Sequence, residues 1–283
     1  MTAVFDINLA LSPVWAMDPE AIAGTSARIE AGLERSLALK ASAISVPDFA
    51  EALQSVNASK HPAGERLGKR NDAGILYVTG PLLKRKTWIT ELLGFTTYEV
   101  LRQDLQVALD DPAIKKIILY VDSPGGEANG CDELAAAIYA ARSKKSVTAY
   151  VSGMACSGGY WLASAADKVI ISDSAILGSI GVVLGVTDKT KRDAQDGVIH
   201  HEFVSSRSPG KRPDIKTDAG RARIQQMVDG LGDVFIAAVA KHRGVSTETV
   251  VKKFGNGGVH IGAKAVAANM ANRTGQFESA LRA

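Results

Sequence analysis

From residue 74 onward, short apolar runs alternate with amphipathic stretches. GILYVTG (74–80) is an apolar run ended by Gly-Pro and reads as a buried strand. TTYEVLRQDLQVALDD (96–111) reads as a helix. Tyr98, Leu101, Leu105 and Leu109 recur at helical spacing, and Thr96 and Glu99 stand at capping-box distance. AIKKIILYVDSPGG (113–126) reads as a strand running into a glycine-rich turn. Residues 127–142 read as a helix, and SVTAYVSG (146–153) as a strand that leads into CSGG (156–159) and another helix. KVIISD (168–173) is a further strand. From about residue 218 the pattern becomes helices broken by Gly and Asn. Strands rich in Val and Ile that alternate with helices predict an α/β domain with a buried sheet.

The pattern before residue 74 is different. Residues 17–56 are rich in Ala, Glu, Leu and Ile and read as a helical arm. Residues 57–73, NASKHPAGERLGKRNDA, are polar, with Pro and Gly, and read as a linker. The division expected is therefore an arm and linker over 1–73 and a main domain over 74–283.

Composition narrows the function classes. The chain has 283 residues, 46% of them hydrophobic, which suits a folded domain with a sizeable core. With 33 basic and 30 acidic residues the formal charge is +3, too balanced to suggest a nucleic-acid partner. Its two cysteines, Cys131 and Cys156, cannot build a disulfide framework and suggest a reducing compartment. The start, MTAVFDINLALSPVWAMDPEA, lacks a basic n-region and is a poor secretory signal. No apolar run reaches transmembrane length. These features together lead us to expect a soluble cytoplasmic protein without a membrane anchor.

The candidate chemistry lies in the two glycine-rich turns, SPGG (123–126) and CSGG (156–159). Each follows a predicted strand and precedes a predicted helix. Glycines permit close approach to the main chain, and helix N-termini present unpaired N–H groups. If the turns are neighbours, those N–H groups can converge on one oxygen, as in an oxyanion hole. Ser157 would then be placed as a nucleophile. Taken singly, each turn reads equally as a tight packing turn, and the residues alone leave both readings open.

A nucleophilic serine needs a base. None of the five histidines (His61, His200, His201, His242 and His260) lies in a motif that ties it to Ser157. A lysine serves instead when burial favours its neutral form. The loop SSRSPGKRPDIKTDAG (205–220) offers Lys211 and Lys216. Cys156, Tyr160 and Trp161 read as packing residues around the serine. Lys84, Arg85 and Lys86 read as a solvated basic loop, and Asp122 is given no catalytic role. There is no H-E-x-x-H, no P-loop and no Cys/His ligand cluster, so no metal or other cofactor is expected.

Four segments, GFTTYEVLRQDLQVALDDPAIKKIILYVDSPGGE, SGMACSGGYWLASAADKV, LGSIGVV and SSRSPGKRPD, occur in one order. In this they resemble the signal peptide peptidase A family of serine–lysine peptidases, over roughly 74–280. The arm with PVWAMDPEAI, the GPLLKRK segment and the SPGKRPD loop resemble most the phage capsid (prohead) maturation proteases. The resemblance implies the Clp protease/crotonase-type α/β fold, here with a helical N-terminal arm and a helical C-terminal region. It implies Ser157 as nucleophile and Lys211 as general base. Ser179 would orient the lysine, and the amides of Gly158 and of Gly125 or Gly126 would form the oxyanion hole.

The same resemblance implies an endopeptidase without metal, working through an acyl-enzyme on protein substrates such as a capsid scaffold or head proteins. It would act as a homo-oligomer, in the host cytoplasm or the prohead. Two rivals stay open: a signal-peptide-peptidase-like host enzyme and a crotonase-fold acyl-coenzyme A enzyme. A Clp-type Ser-His-Asp protease is rejected, because VVLGV (182–186) stands where its histidine would be.

Overall fold

The computed structural model describes residues 15–17, 47–92, 94–186, 188, 190–199 and 201–283. Strand β1 (Trp15–Met17) and helix α1 (Pro47–Ser55) come first. Strands β2 (Ser59–Lys60), β3 (Leu67–Arg70), β4 (Ala73–Thr79) and β5 (Leu82–Leu83) follow. Next are α2 (Trp88–Leu92), β6 (Thr96–Thr97) and α3 (Tyr98–Asp110). The central stretch comprises β7 (Lys116–Ser123), β8 (Gly125–Glu127), α4 (Cys131–Ala141), β9 (Ser146–Cys156) and α5 (Gly158–Ser164). Strands β10 (Lys168–Ile171) and β11 (Ile176–Gly178) complete it. The C-terminal part holds α6 (Thr190–Gln195), a 3₁₀ turn at Pro209–Lys211, α7 (Asp218–Arg243) and α8 (Thr247–Lys253). It closes with β12 (Val259–Ile261), α9 (Ala263–Ala267), β13 (Arg273–Thr274) and α10 (Phe277–Leu281).

Parallel strands β4, β7 and β9 form the centre of the main sheet, in which Tyr77, Tyr120 and Tyr150 stand at one level. On that face Phe277 of α10 meets Tyr120 and Tyr150 edge-on, and Phe49 of α1 meets Tyr77. The opposite face is covered by α3, α4 and α5, with α7 packed over α4 and α5, and the apolar residues of all four join the larger core. Cover on both faces explains the near-continuous apolar runs of β4 and β7, since neither face meets water. The helical stripe behaves as its spacing predicts: Tyr98, Leu101 and Leu105 are buried, and Leu109 is partly so.

Strand β9 organises the site. Strand β10 pairs with its first half, from Lys168 opposite Thr148 to Ile171 opposite Val151. Strand β11 pairs with its second half, from Ile176 opposite Met154 to Gly178 opposite Cys156. On the other edge β7 shifts register between Val121 and Ser123, which brings Ser123 opposite Ala155. Asp122 secures that irregularity, its Oδ1 accepting the Met154 N–H at 3.0 Å. A second, smaller sheet has the order β1-β8-β5-β6.

Two expectations change, and a third is met over part of its length. Residues 57–73, read as a linker, contain β2 and β3, which extend the main sheet, β3 pairing antiparallel with β4 and β2 antiparallel with β3. Their polar look misleads because they lie at a sheet edge, where Leu67 turns inward while Lys69 and Arg70 remain partly solvated. The capping box is not formed. Thr96 pairs in β6, and the helix cap falls to Thr97, whose hydroxyl accepts the Val100 N–H at 3.4 Å. Glu99 instead accepts the Lys86 N–H. The helical reading of 17–56 holds over Pro47–Ser55, while residues 18–46 lie outside the described residues.

Candidate active site

Ser157 joins β9 to α5 by a sharp turn with φ 51° and ψ −122°. Its N–H donates to the Gly178 carbonyl at 2.7 Å, and its own carbonyl accepts the Trp161 N–H at 2.9 Å. The backbone is therefore tied at both ends. The side chain makes no cap hydrogen bond, and the residue is 1% exposed. Gly262, which opens α9, has nearly the same angles, φ 51° and ψ −121°. A glycine meets that conformation without cost, while a serine is strained by on the order of 1–3 kcal/mol. One elbow of this shape thus carries the permissive residue and the other a strained hydroxyl.

Six residues other than glycine have positive φ among the described residues. Four are asparagines, a type that tolerates this region. The other two are Ser157 and Ser179, both at φ 51°. Because Gly178 is opposite Cys156, the two serines follow the ends of adjacent parallel strands at the same level. The Ser179 N–H donates to the Gly258 carbonyl at 2.8 Å. Gly178 itself has no space for a side chain, since a Cβ there would lie 2.4 Å from that carbonyl oxygen.

The two glycine-rich turns are neighbours. A Cβ on Gly159 would approach the Ser123 carbonyl oxygen to 2.9 Å, so the Ser157 helix rests directly on the SPGG turn. As the first residue of α5, Gly158 has an N–H without an intrahelical acceptor. Gly126 lies so close to β5 that a Cβ would fall 1.8 Å from the Leu82 carbonyl oxygen. Gly125 has φ 106°, and its N–H donates to Ser123 Oγ at 3.1 Å. The Ser123 hydroxyl in turn donates to the Gly80 carbonyl at 2.7 Å. Sequence reasoning passed over Ser123. A serine two residues before a turn glycine was the available signal, since such hydroxyls commonly fold back on their own turn.

Packing holds α5 in place. Trp161 stacks on Phe235 of α7 with centroids 4.3 Å apart and planes within 7°. Tyr160 is buried and donates to the Met270 carbonyl at 3.0 Å. Both do what the sequence suggested. Cys131 backs the turn, with Sγ 3.6 Å from the Gly158 carbonyl oxygen, and burial pushes its thiol well above the usual range. Cys156 is also buried, its sulfur 3.8 Å from the Ile176 carbonyl oxygen. Of the basic run, Lys86 is ion-paired to Glu65 and Glu91.

The lysine loop stands apart. Lys211 ends the 3₁₀ turn, its N–H donating to the Ser208 carbonyl at 3.1 Å, and its side chain is exposed. Its amine makes no hydrogen bond or ion pair among the described residues. Gly210 is packed against Arg223 of α7, where a Cβ would fall 2.0 Å from the guanidinium. Lys216 is exposed and reaches Thr190 Oγ1 at 3.3 Å. The fold therefore brings together Ser157, Ser179, Gly158, Gly125 and Gly126, and leaves the Lys211 amine unengaged by either serine.

The described histidines are used elsewhere. His61 pairs with Asp111 at 3.2 Å, and His260 lies 3.0 Å from the Lys253 carbonyl oxygen. His242 meets Ser164, at the far end of α5 from Ser157, at 3.0 Å and stacks on Tyr139. His201 is exposed, and His200 lies outside the described residues. Among the described residues no group of His, Cys, Asp or Glu is arranged to hold a metal ion. Nor is any helix there long and apolar enough to cross a membrane.

Comparison with known proteins adds to this geometry. Residues 139–283, just over half of the chain, match Peptidase family S49, and residues 82–188 match Clp protease. The chain is 31% identical over 182 residues to the head-tail preconnector protein GP5 of Enterobacteria phage P21, covering 64% of this chain and 36% of that protein. It is 32% identical over 213 residues to Protease 4 of Salmonella typhi, covering 73% and 33%. It is 29% identical over 228 residues to capsid assembly protease C of Escherichia phage lambda, covering 78% and 52%. The chain thus spans between about a third and about half of the length of these relatives. The α/β architecture accords with a Clp protease-like fold.

Proposed function

The chain belongs to peptidase family S49, and on that premise we propose that it is a serine endopeptidase whose nucleophile is Ser157. The observation that carries the reading is the strained Ser157 elbow resting on a second glycine-rich turn. Strain of this kind persists where a function requires the side chain at that spot.

In the proposed reaction the neutral amine of Lys211 removes the Ser157 proton as the hydroxyl oxygen attacks the scissile carbonyl. The resulting oxyanion rests on the N–H of Gly158 and on the SPGG turn at Gly125 or Gly126. The Gly125 N–H is held by Ser123 Oγ, so it can serve only by exchanging that partner for the substrate oxygen. The lysine ammonium then protonates the leaving amine, and water repeats the cycle on the acyl-enzyme. Ser179 holds the amine towards Ser157 without adding charge. No metal or organic cofactor takes part.

In a single chain Lys211 is exposed, so the loop must move or be covered before the amine can act. The neighbouring segment carries Ile199 at 77% and Phe203 at 97% exposure. Exposed apolar residues of this size suggest a docking partner, and we assign that role to further copies of this chain. The names of the phage relatives, a head-tail preconnector protein and a capsid assembly protease, support substrates among capsid scaffold or head proteins and action within the prohead or host cytoplasm.

The test uses the purified full chain with a fluorophosphonate probe and an unfolded protein substrate. Labelling of Ser157 and hydrolysis by the wild type, both absent from folded Ser157→Ala, is the expected result. Undiminished hydrolysis by that variant would sink the proposal.

A further inference from the structure

The SPGG turn leads into β8, and both edges of β8 are occupied. Leu82 of β5 pairs with Gly126 on one side. On the other side the chain's own Trp15–Met17 runs antiparallel, with Trp15 opposite Glu127, Ala16 opposite Gly126 and Met17 opposite Gly125. This second edge belongs to the two glycines placed in the oxyanion hole. Gly125 and Gly126 have no side chains, so the edge is a bare row of backbone donors and acceptors. A row of that kind recruits an extended segment by strand addition.

The direction of β1 matters. Strand β8 runs away from the SPGG turn, so the antiparallel β1 runs towards it. Its last residue, Met17, is level with Gly125, beside the turn on which the Ser157 helix rests. An extended peptide bound this way feeds its C-terminal end to Ser157. The pairing spans only three residues, too short to be strong by itself. Tethering offsets this, because a linked segment acts at an effective concentration on the order of millimolar.

We propose that Trp15–Met17 is a built-in substrate mimic that holds the peptide-docking edge of β8 and must be displaced before substrate binds. This rests on the placement of the site at Ser157, and its test is independent of catalysis. In antiparallel pairing, alternate residues donate to the partner strand. The double substitution Ala16→Pro/Met17→Pro therefore removes a donor whichever alternate faces β8.

The experiment measures binding of a fluorescent peptide, SPVWAMDPEA, to two full-length proteins: Ser157→Ala, and Ser157→Ala with both prolines. We expect the proline protein to bind at least ~10-fold more tightly, and the amides of Gly125–Glu127 to exchange hydrogen faster in the absence of peptide. Equal affinities with unchanged exchange would overturn the proposal. So would an affinity difference that vanishes on dilution of the protein, which would mark the occupant as a second copy. The fluorophosphonate experiment separates the two readings. Labelled Ser157 with equal peptide affinities overturns the mimic alone. Unlabelled Ser157 with tighter binding by the proline protein overturns the peptidase reading alone.

Discussion

The N–H of Ser157 donates at 2.7 Å to the carbonyl of Gly178, the residue immediately before Ser179, and both serines are held at φ 51°. One hydrogen bond therefore locks the candidate nucleophile to its candidate partner. The turn positions both hydroxyls through backbone that neither residue type would choose.

Strain at Ser157 has a measurable consequence. Ser157→Gly should unfold at a higher temperature than Ser157→Ala, by the equivalent of about 1 kcal/mol, because glycine relaxes into the elbow and alanine does not. Neither should hydrolyse peptide. Thermal unfolding beside an activity assay checks this, and equal stabilities would show that the elbow is unstrained.

Contact between the two turns can be loosened directly. A Cβ at Gly159 meets the Ser123 carbonyl oxygen at 2.9 Å, backbone that can yield only by moving the SPGG turn. Gly159→Ala should fold but lose about 10²-fold in kcat, the size of effect that follows loss of one oxyanion donor. Wild-type kcat in that variant would detach the SPGG turn from catalysis.

The Trp161–Phe235 stack ties the Ser157 helix to α7. Both side chains are buried. Trp161→Ala should cost about 3–5 kcal/mol, read as a lower urea midpoint at similar slope. A loss below about 1 kcal/mol would mean that the helix is held from elsewhere.

His242 supplies a pH dependence. Burial, with help from Lys241 and Arg142, lowers its pKa from 6.5 to about 4. Between those values the unfolded chain binds more protons, so stability falls as pH drops from about 6.5 towards 4 and is complete above about 6.5. Partial solvation of the ring keeps the effect to roughly 2 kcal/mol. His242→Phe should flatten the melting temperature across this window and leave peptide hydrolysis intact. Loss of hydrolysis in a folded His242→Phe would bring a histidine into the mechanism.

The base is tested in the lysine loop. Lys211→Arg should be as inactive as Lys211→Ala, because a guanidinium stays protonated. Lys216→Ala should keep most activity. Normal cleavage by Lys211→Ala with a dead Lys216→Ala would move the base to Lys216.

The sequence by itself determined the elements in which spacing is strong. The runs of β4, β7, β9 and β10 and the stripe of α3 were legible because burial on fixed faces dictates apolar periodicity. Ser157 was legible because a turn between a strand and a helix restricts residue type, and the SPGG glycines because a glycine-rich turn ends an apolar run, although the element that follows them is the strand β8 and not the expected helix. The short strands β2, β3, β8 and β11 were not, since two to four residues hold no period and their partners are distant in sequence. Only the tertiary structure decided that the two glycine turns touch, that Ser179 stands level with Ser157, and that Trp15–Met17 lies along Gly125–Glu127. Strand pairing decides all three, and pairing depends on which backbone edges meet in space, a quantity that local sequence does not encode.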